Sequence, residues 1–270
     1  MNEIIHYFSS IPSSHRGFIL AFGIAIFWII ENIKPFQAFD YLKWSHGLVN
    51  IFFTITTIVV NFILAFILIM ASSWVTQQHL GLLAVLGIEN IWVYTVMGLL
   101  LMDFIGAYLV HYIEHKVPVL WRLHLIHHSD PWVDTTTANR HHPGESVVRF
   151  VFTTMAVIVV GSPIWMVFLY QTLSVVATQF NHANVALPDK IDQFLSYFIV
   201  TPNMHKVHHH YQMPYTDSNY GNIFSVWDRL FGTFSELEGG AIVFGIDTDM
   251  DKNNNNSIIY LLKMPFFNKK

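Results

Sequence analysis

Histidine is the side chain whose number and spacing in this sequence could do chemistry. There are 16, more than the 14 lysines and arginines together. All but His6, His15, His46 and His79 fall between His111 and His210, and they fall in groups. His111 and His115 stand four apart. His124, His127 and His128 form an HxxHH box, and His205, His208 and His209 repeat it. His182 stands between the last two boxes, in Phe180-Asn181-His182-Ala183-Asn184. On a helix, residues i, i+3 and i+4 share a face, so each box aims its imidazoles in one direction. Clustered imidazoles repel when protonated and pack no better than leucine. Metal ligation is the chemistry that uses them. A first-row metal seldom takes more than six ligands, and a catalytic one keeps positions open, so eight or nine histidines require two metals. Imidazole suits Zn, Cu, Fe and Ni alike, and the boxes by themselves do not choose.

The other histidines read differently. His6, His15, His46 and His79 are isolated and are expected as interfacial or hydrogen-bonded residues, and His210 lies off the face of its three predecessors. His141 and His142 precede Pro143, which favours extended backbone; a supporting role is expected there, not ligation. Glu114 lies inside the first box but is rotated away from the face of His111 and His115. Two other function classes compete with redox catalysis. A membrane zinc hydrolase would want an HExxH motif, which is missing. A His-rich metal-binding or transport protein would want ionisable groups lining a path within the membrane, and only Asp103 is so placed.

These residues need a scaffold, and its composition is that of a membrane protein. The chain has 270 residues, 53% hydrophobic and 12% charged, where a soluble globular chain carries about 25% charged residues. Mean hydropathy is +0.42. This excludes a disordered chain, a nucleic-acid binder with a basic surface and, with no cysteine, a disulfide-stapled domain, a redox thiol or a thiolate metal site. A net charge of −4 names no electrostatic partner. Three stretches approach the ~20 apolar residues a crossing needs: Gly17 to Ile33, Val49 to Ala71, and Ile91 to Val110. The first lacks a basic leader and a small-residue cleavage site, and reads as a retained anchor. A fourth, Phe150 to Phe180, has no charge and is broken by Gly161-Ser162-Pro163. It is too long for one upright crossing and short for two. Because histidines precede and follow it, its ends must return to one side, so a hairpin is expected. Its legs of about 15 residues, roughly 22 Å each, would fall short of the ~30 Å core, and its turn must be shielded from lipid. Every Lys and Arg except Arg16 falls on one side of this arrangement, which reads as cytoplasmic.

The expected fold is therefore all-α: a polytopic, multi-pass membrane protein with about three spans plus a helical hairpin. A cytoplasmic His-rich helical cap would hold a dimetal site. Residues 1–100 would anchor the chain, 101–236 would form the catalytic region, and 237–270 would be a polar tail, solvated after about Phe244.

From about Asp103 to Phe234 the sequence resembles the fatty acid hydroxylase/sterol desaturase superfamily of integral-membrane di-iron oxygenases. The likeness rests on Asp103 followed by His111-xxx-His115, Trp121-Arg122-Leu123-His124-Leu125-Ile126-His127-His128-Ser129 and Asn139-Arg140-His141-His142-Pro143-Gly144-Glu145. It continues through Asn181-His182-Ala183-Asn184, His205-Lys206-Val207-His208-His209, Asn219-Tyr220-Gly221-Asn222 and Trp227-Asp228-Arg229-Leu230-Phe231-Gly232-Thr233-Phe234. It implies two irons (zinc is possible in purified material), dioxygen, and insertion of oxygen into, or desaturation of, a C–H bond of a fatty acyl, sterol or ether lipid. By position, His111, His115, His124, His127, His128, His182, His205, His208 and His209 would be the ligands. Thr178 stands where some members carry a tenth histidine, so a nine-ligand site, or a water in that place, is expected. Asp103, Asn139, Glu145, Asn181 and Asp228 are candidates to receive the ligands' other N–H groups, and His142 is a candidate for a supporting or structural role behind the ligands. Glu145 breaks the haem motif that His142-Pro143-Gly144 would otherwise suggest. Electrons are expected from an outside protein of ferredoxin or cytochrome b5 type with its reductase.

Overall fold

A computed structural model describes residues 1–267, so Lys269 and Lys270 of the charge argument lie outside the described residues. Thirteen α-helices follow one another: α1 (Asn2–Ser9), α2 (Ser13–Ile33), α3 (Lys43–Gln77), α4 (Leu82–Val85), α5 (Ile91–Asp103), α6 (Val110–Lys116), α7 (Pro118–His128), α8 (Pro143–Val160), α9 (Ile164–His182), α10 (Asp189–Leu195), α11 (Pro202–His208), α12 (Val226–Leu230) and α13 (Ile258–Lys263). No β-strand occurs among the described residues, only isolated bridges. Four stretches are long and apolar enough to cross a membrane: Ser13–Ile33, Lys43–Val85, Ile91–Lys116 and Pro143–Val160. The protein is an integral membrane protein.

Helix α3 is much longer than its apolar stretch. Its 35 residues reach about 52 Å at ~1.5 Å per residue, well beyond a ~30 Å core. The extra turns carry His46 and Asn50 into a buried polar network. Helices α5 and α6 are joined without a break by a π-helical turn, Phe104–Leu109. A π turn adds a residue to the helical register, resetting the face on which His111 and His115 emerge relative to Asp103.

The chain does turn back at Gly161-Ser162-Pro163, between α8 and α9. Gly161 ends α8 with φ +79, a left-handed conformation that suits glycine. A Cβ there would lie 2.2 Å from the Leu80 carbonyl oxygen, so nothing larger fits. Ser72 donates to the Ser162 carbonyl at 2.8 Å. The end of α3 and the following turn thus shield the hairpin tip. Its legs have 18 and 19 residues, about 27–29 Å, and not the expected 15. Both helices run beyond the apolar stretch, to Pro143 and to His182.

The C-terminal segment is no solvated appendage. Ile246, Leu261 and Met264 are buried against Val49, Phe53 and Ile126, and Asn255 is 1% exposed. Polarity at Asn253 to Asn256 concealed the apolar Ile258–Lys263 helix that follows. One contact, Arg140 Nη2 to the Asn255 carbonyl, locks this segment to the chain after the second histidine box.

Candidate metal centre

Helix α6 presents His111 and His115, α7 presents His124, His127 and His128, α9 ends on His182, and α11 brings His205 and His208 with His209 as its cap. The hairpin carries His182 back to the same place as α7. All nine are buried, and they divide into two groups. His111, His115, His124, His128 and His208 form one; His127, His182, His205 and His209 form the other. In each, one ligand atom per residue lies within 4.8 Å of all the rest.

The second group shows what this convergence means. Nε2 of His182 lies 3.1 Å from Nε2 of His127, 3.1 Å from that of His205 and 3.2 Å from that of His209. One ring nitrogen can share a proton with one of those partners, not with three. Two nitrogens bound to one cation at about 2.1 Å stand roughly 3.0–3.4 Å apart for octahedral to tetrahedral angles. The spacing fits a coordination shell. In the first group Nε2 of His111 and His124 are 3.1 Å apart. Nε2 of His115, His128 and His208 is buried there with no hydrogen-bond partner.

The opposite ring nitrogen is tied down in five of the nine rings, while Nδ1 of His127, His128, His205 and His209 is buried without a hydrogen-bond partner. His111 Nδ1 donates to the Tyr220 carbonyl (2.9 Å), His208 Nδ1 to the Ser218 carbonyl (2.6 Å) and His182 Nδ1 to the Thr178 carbonyl (2.8 Å). His115 Nδ1 donates to Asp217 (3.2 Å) and His124 Nδ1 to Glu145 (2.7 Å). An N–H on Nδ1 leaves the Nε2 lone pair free and fixes the ring's direction. Burial first, then neighbouring imidazoles, push His124, His127, His128, His205, His208 and His209 well below the usual imidazole range. Burial thus favours the neutral ring, which is the form that ligates.

Of the candidate supporting residues, only Glu145 touches a boxed histidine. It also faces His141 Nδ1 at 2.7 Å and accepts from Arg149 Nε at 2.9 Å. Asp103 accepts the backbone N–H groups of Ile223 and Phe224 and the Trp227 indole, each at 3.2 Å. Asp228 accepts from Tyr220 N and Gly221 N. Both therefore hold the loop whose carbonyls receive His111 and His208. Asn181 donates to the Asn222 carbonyl. The Asn139 side chain makes no hydrogen bond to a histidine among the described residues. His142 takes the structural one of the two roles expected for it. Its Nδ1 accepts from Gly144 N, capping α8, and its ring packs on Phe266.

Several participants are not evident in the sequence. Asp217 follows the last box in an irregular loop, and the three carbonyl acceptors have no side-chain signature. Glu114, turned from its box, pairs at 2.6 Å with Arg149 and lies 3.9 Å from His124 Nδ1; only the i, i+4 spacing of Glu145 and Arg149 hinted at this pair. Thr178 stays out of the shell, since its hydroxyl hydrogen-bonds the Ser174 carbonyl and Asn222. Lys206, fully buried, donates to the Ala183 carbonyl at 2.7 Å beside His182.

Comparison with known proteins bears on what such a centre does. Over 139 residues the chain is 27% identical to the ornithine lipid hydroxylase OlsE of Rhizobium tropici, covering 52% of this chain and 41% of that one. It is 28% identical to the alkylglycerol monooxygenases of Danio rerio, over 141 residues, and Homo sapiens, over 150, covering 52% of this chain and 30% of each. The chain thus spans less than half the length of these relatives. No solved structure matches it. The fatty acid hydroxylase family model matches residues 95–233, the interval that runs from the third span through every histidine of both groups to the loop that anchors them. The chain belongs to the fatty acid hydroxylase family.

Proposed function

We propose that the protein is an O2-dependent di-iron oxygenase that hydroxylates a C–H bond of a membrane lipid. The observation that carries this reading is the convergence of nine buried imidazoles into groups of five and four. For six-coordinate metals, five ligands leave one position and four leave two, room for an exogenous reactant. Bound iron would supply the one-electron chemistry with dioxygen that imidazole, carboxylate and hydroxyl side chains do not provide.

The protein's own part is positional. Asp217, Glu145 and the carbonyls of Thr178, Ser218 and Tyr220 orient five rings and hold their Nδ1 protons. Arg149 bridges Glu114 and Glu145 behind His124. Tyr220, buried against His111, His115 and His208, walls the group of five and keeps water out. The relatives are named for an ornithine lipid and for alkylglycerol, so an amphiphilic lipid presented from the bilayer is the substrate class proposed here. The excess of Lys and Arg on the histidine side supports a cytoplasmic centre, reached by an outside ferredoxin- or cytochrome b5-type donor.

The test is metal analysis of purified protein with turnover under 18O2, a two-electron donor and a panel containing ornithine lipids and alkylglycerols. Two irons per chain and one 18O in the product are expected. Turnover without dioxygen would overturn the proposal.

A further inference from the structure

The segment between His182 and His205 exposes a group of large apolar side chains just after the exposed Asp189 and Lys190 at its start. In α10 and the turn after it, Ile191, Phe194, Tyr197 and Phe198 are 51–64% exposed. Asp192 turns inward to Thr201 and Asn203, and Ser196 is buried. Helix α12 repeats the pattern. Leu230 is 66% exposed and Phe231, just beyond the helix, 52%, while Asp228 is 0% exposed. Apolar outside with polar inside is the arrangement of a surface that meets lipid rather than water.

The two segments are one unit. Ser225 N donates to the Phe198 carbonyl and Ser225 Oγ to the Ser196 carbonyl. Arg229, stacked 4.6 Å over Tyr197 and 3.9 Å over Phe234, donates to the Ser196 carbonyl. Its guanidinium is covered by the two rings and its Nη2 is bonded to Ser196, while Nε is buried without a partner.

Depth follows from the third span. It starts at Ile91, after Glu89 and the capping residue Asn90. Phe104 is 13 residues further, about 20 Å into a ~30 Å core, leaving roughly 10 Å beyond it. At that level Phe104 stacks on Phe231 (5.4 Å) and Trp227 (4.9 Å), and Asp103 holds Ile223, Phe224 and Trp227. The loop is pinned to the span below the membrane surface.

We propose that α10, its following turn and α12 form a wedge immersed in the lipid bilayer on the histidine side, instead of belonging to an aqueous cap. The wedge is continuous with the lipid-facing surface of the third span at Phe104, and Trp227, Tyr197 and Arg229 have the character of interfacial anchors.

With no native cysteine, the full chain can be labelled at single cysteines with an environment-sensitive fluorophore and reconstituted in phosphatidylcholine vesicles. Phe194→Cys and Leu230→Cys test the wedge from two different helices, so loss of one variant leaves the other. Phe62→Cys, on the outward face of α3, reports lipid, and Glu238→Cys reports water. Nitroxide-labelled lipid is expected to quench positions 194 and 230 as at position 62, with iodide quenching roughly fivefold weaker than at 238. Iodide quenching as strong as at 238 would overturn the proposal. So would protection from both quenchers, which would mean that protein covers the surface.

Discussion

Two buried histidine environments lie within a few residues of each other in this molecule, and they are put to different uses. His46 is 1% exposed, with Nε2 2.8 Å from Asp130 and Nδ1 at ion-pair distance, 3.3 Å, from Asp134. Asn50, Thr136, Thr137 and Arg140 complete the network. Every charge there has an opposite. In the nine-histidine centre no carboxylate faces the converging Nε2 atoms, and burial leaves lone pairs aimed at one another. A buried histidine is therefore not itself a sign of metal. The sign is a lone pair with no donor, repeated around one point, with the other nitrogen of five of the nine rings held.

Breaking either environment should have separable consequences. The largest effect is expected from His124→Ala or His208→Ala: loss of turnover by more than about a hundredfold with reduced metal content, because each removes a ligand. His6→Ala should change neither. Full metal in both box variants, measured by elemental analysis, would dissolve the distinction between the two environments.

Acid should separate them next. In metal-free protein, burial and neighbouring rings hold the six histidines cited above below the ordinary value of about 6.5. Above that pH both folded and unfolded chains carry neutral rings. Below it the unfolded chain takes protons that the folded chain refuses, so stability falls by up to about 1.4 kcal/mol per pH unit for each ring. At Asp130, His46 and Arg140 outweigh burial and hold the carboxyl well below the usual range. Its contribution is present above about pH 4 and is lost only below that. The melting temperature of chelated protein should drop from about pH 6.5 downward, and metal should delay the drop. A flat profile between about pH 7 and 5 would contradict the neutral-ring assignment.

His46→Ala should destabilise the fold by about 3–5 kcal/mol, since it removes the partner of two buried carboxylates and leaves only the more distant Arg140 near Asp130. Metal per folded chain should be unchanged; metal loss in proportion to ligand variants would tie His46 to the centre. Glu145→Gln should lower metal affinity or activity about 10- to 100-fold, as His124 loses a charged acceptor. His142→Ala should give the smallest effect, about 1 kcal/mol from a lost helix cap, with turnover retained. An inactive but folded His142→Ala protein would place that residue nearer the chemistry than its contacts do.

Much of this was legible beforehand. The boxes at i, i+3 and i+4 marked the faces of α7 and α11, and the breaker at Gly161-Ser162-Pro163 marked the turn between α8 and α9. The lengths of the hairpin legs were not legible, because polar residues next to the N-cap His142 and up to the terminal His182 extend the helices past their apolar runs. Nor was the docking of Ile258–Lys263, whose apolar face is too short to stand out beside the asparagines preceding it. Asp103 and Asp228 read as candidate partners of the histidines, but they act one step away, through the backbone of residues 220–227.

The amino-acid sequence by itself determined the number of imidazoles, the faces they share and the need for the chain to double back. Those follow from helical periodicity and from counting apolar residues, both local properties. Tertiary structure decided the division into five and four, which ring nitrogen turns inward, and which acceptors hold the other. Asp217 meets His115 across 102 residues of chain, and Tyr220 meets His111 across 109. Contacts made at such separations, several of them to backbone carbonyls that every residue possesses, leave no pattern in the order of side chains. They exist only once packing has brought the segments together.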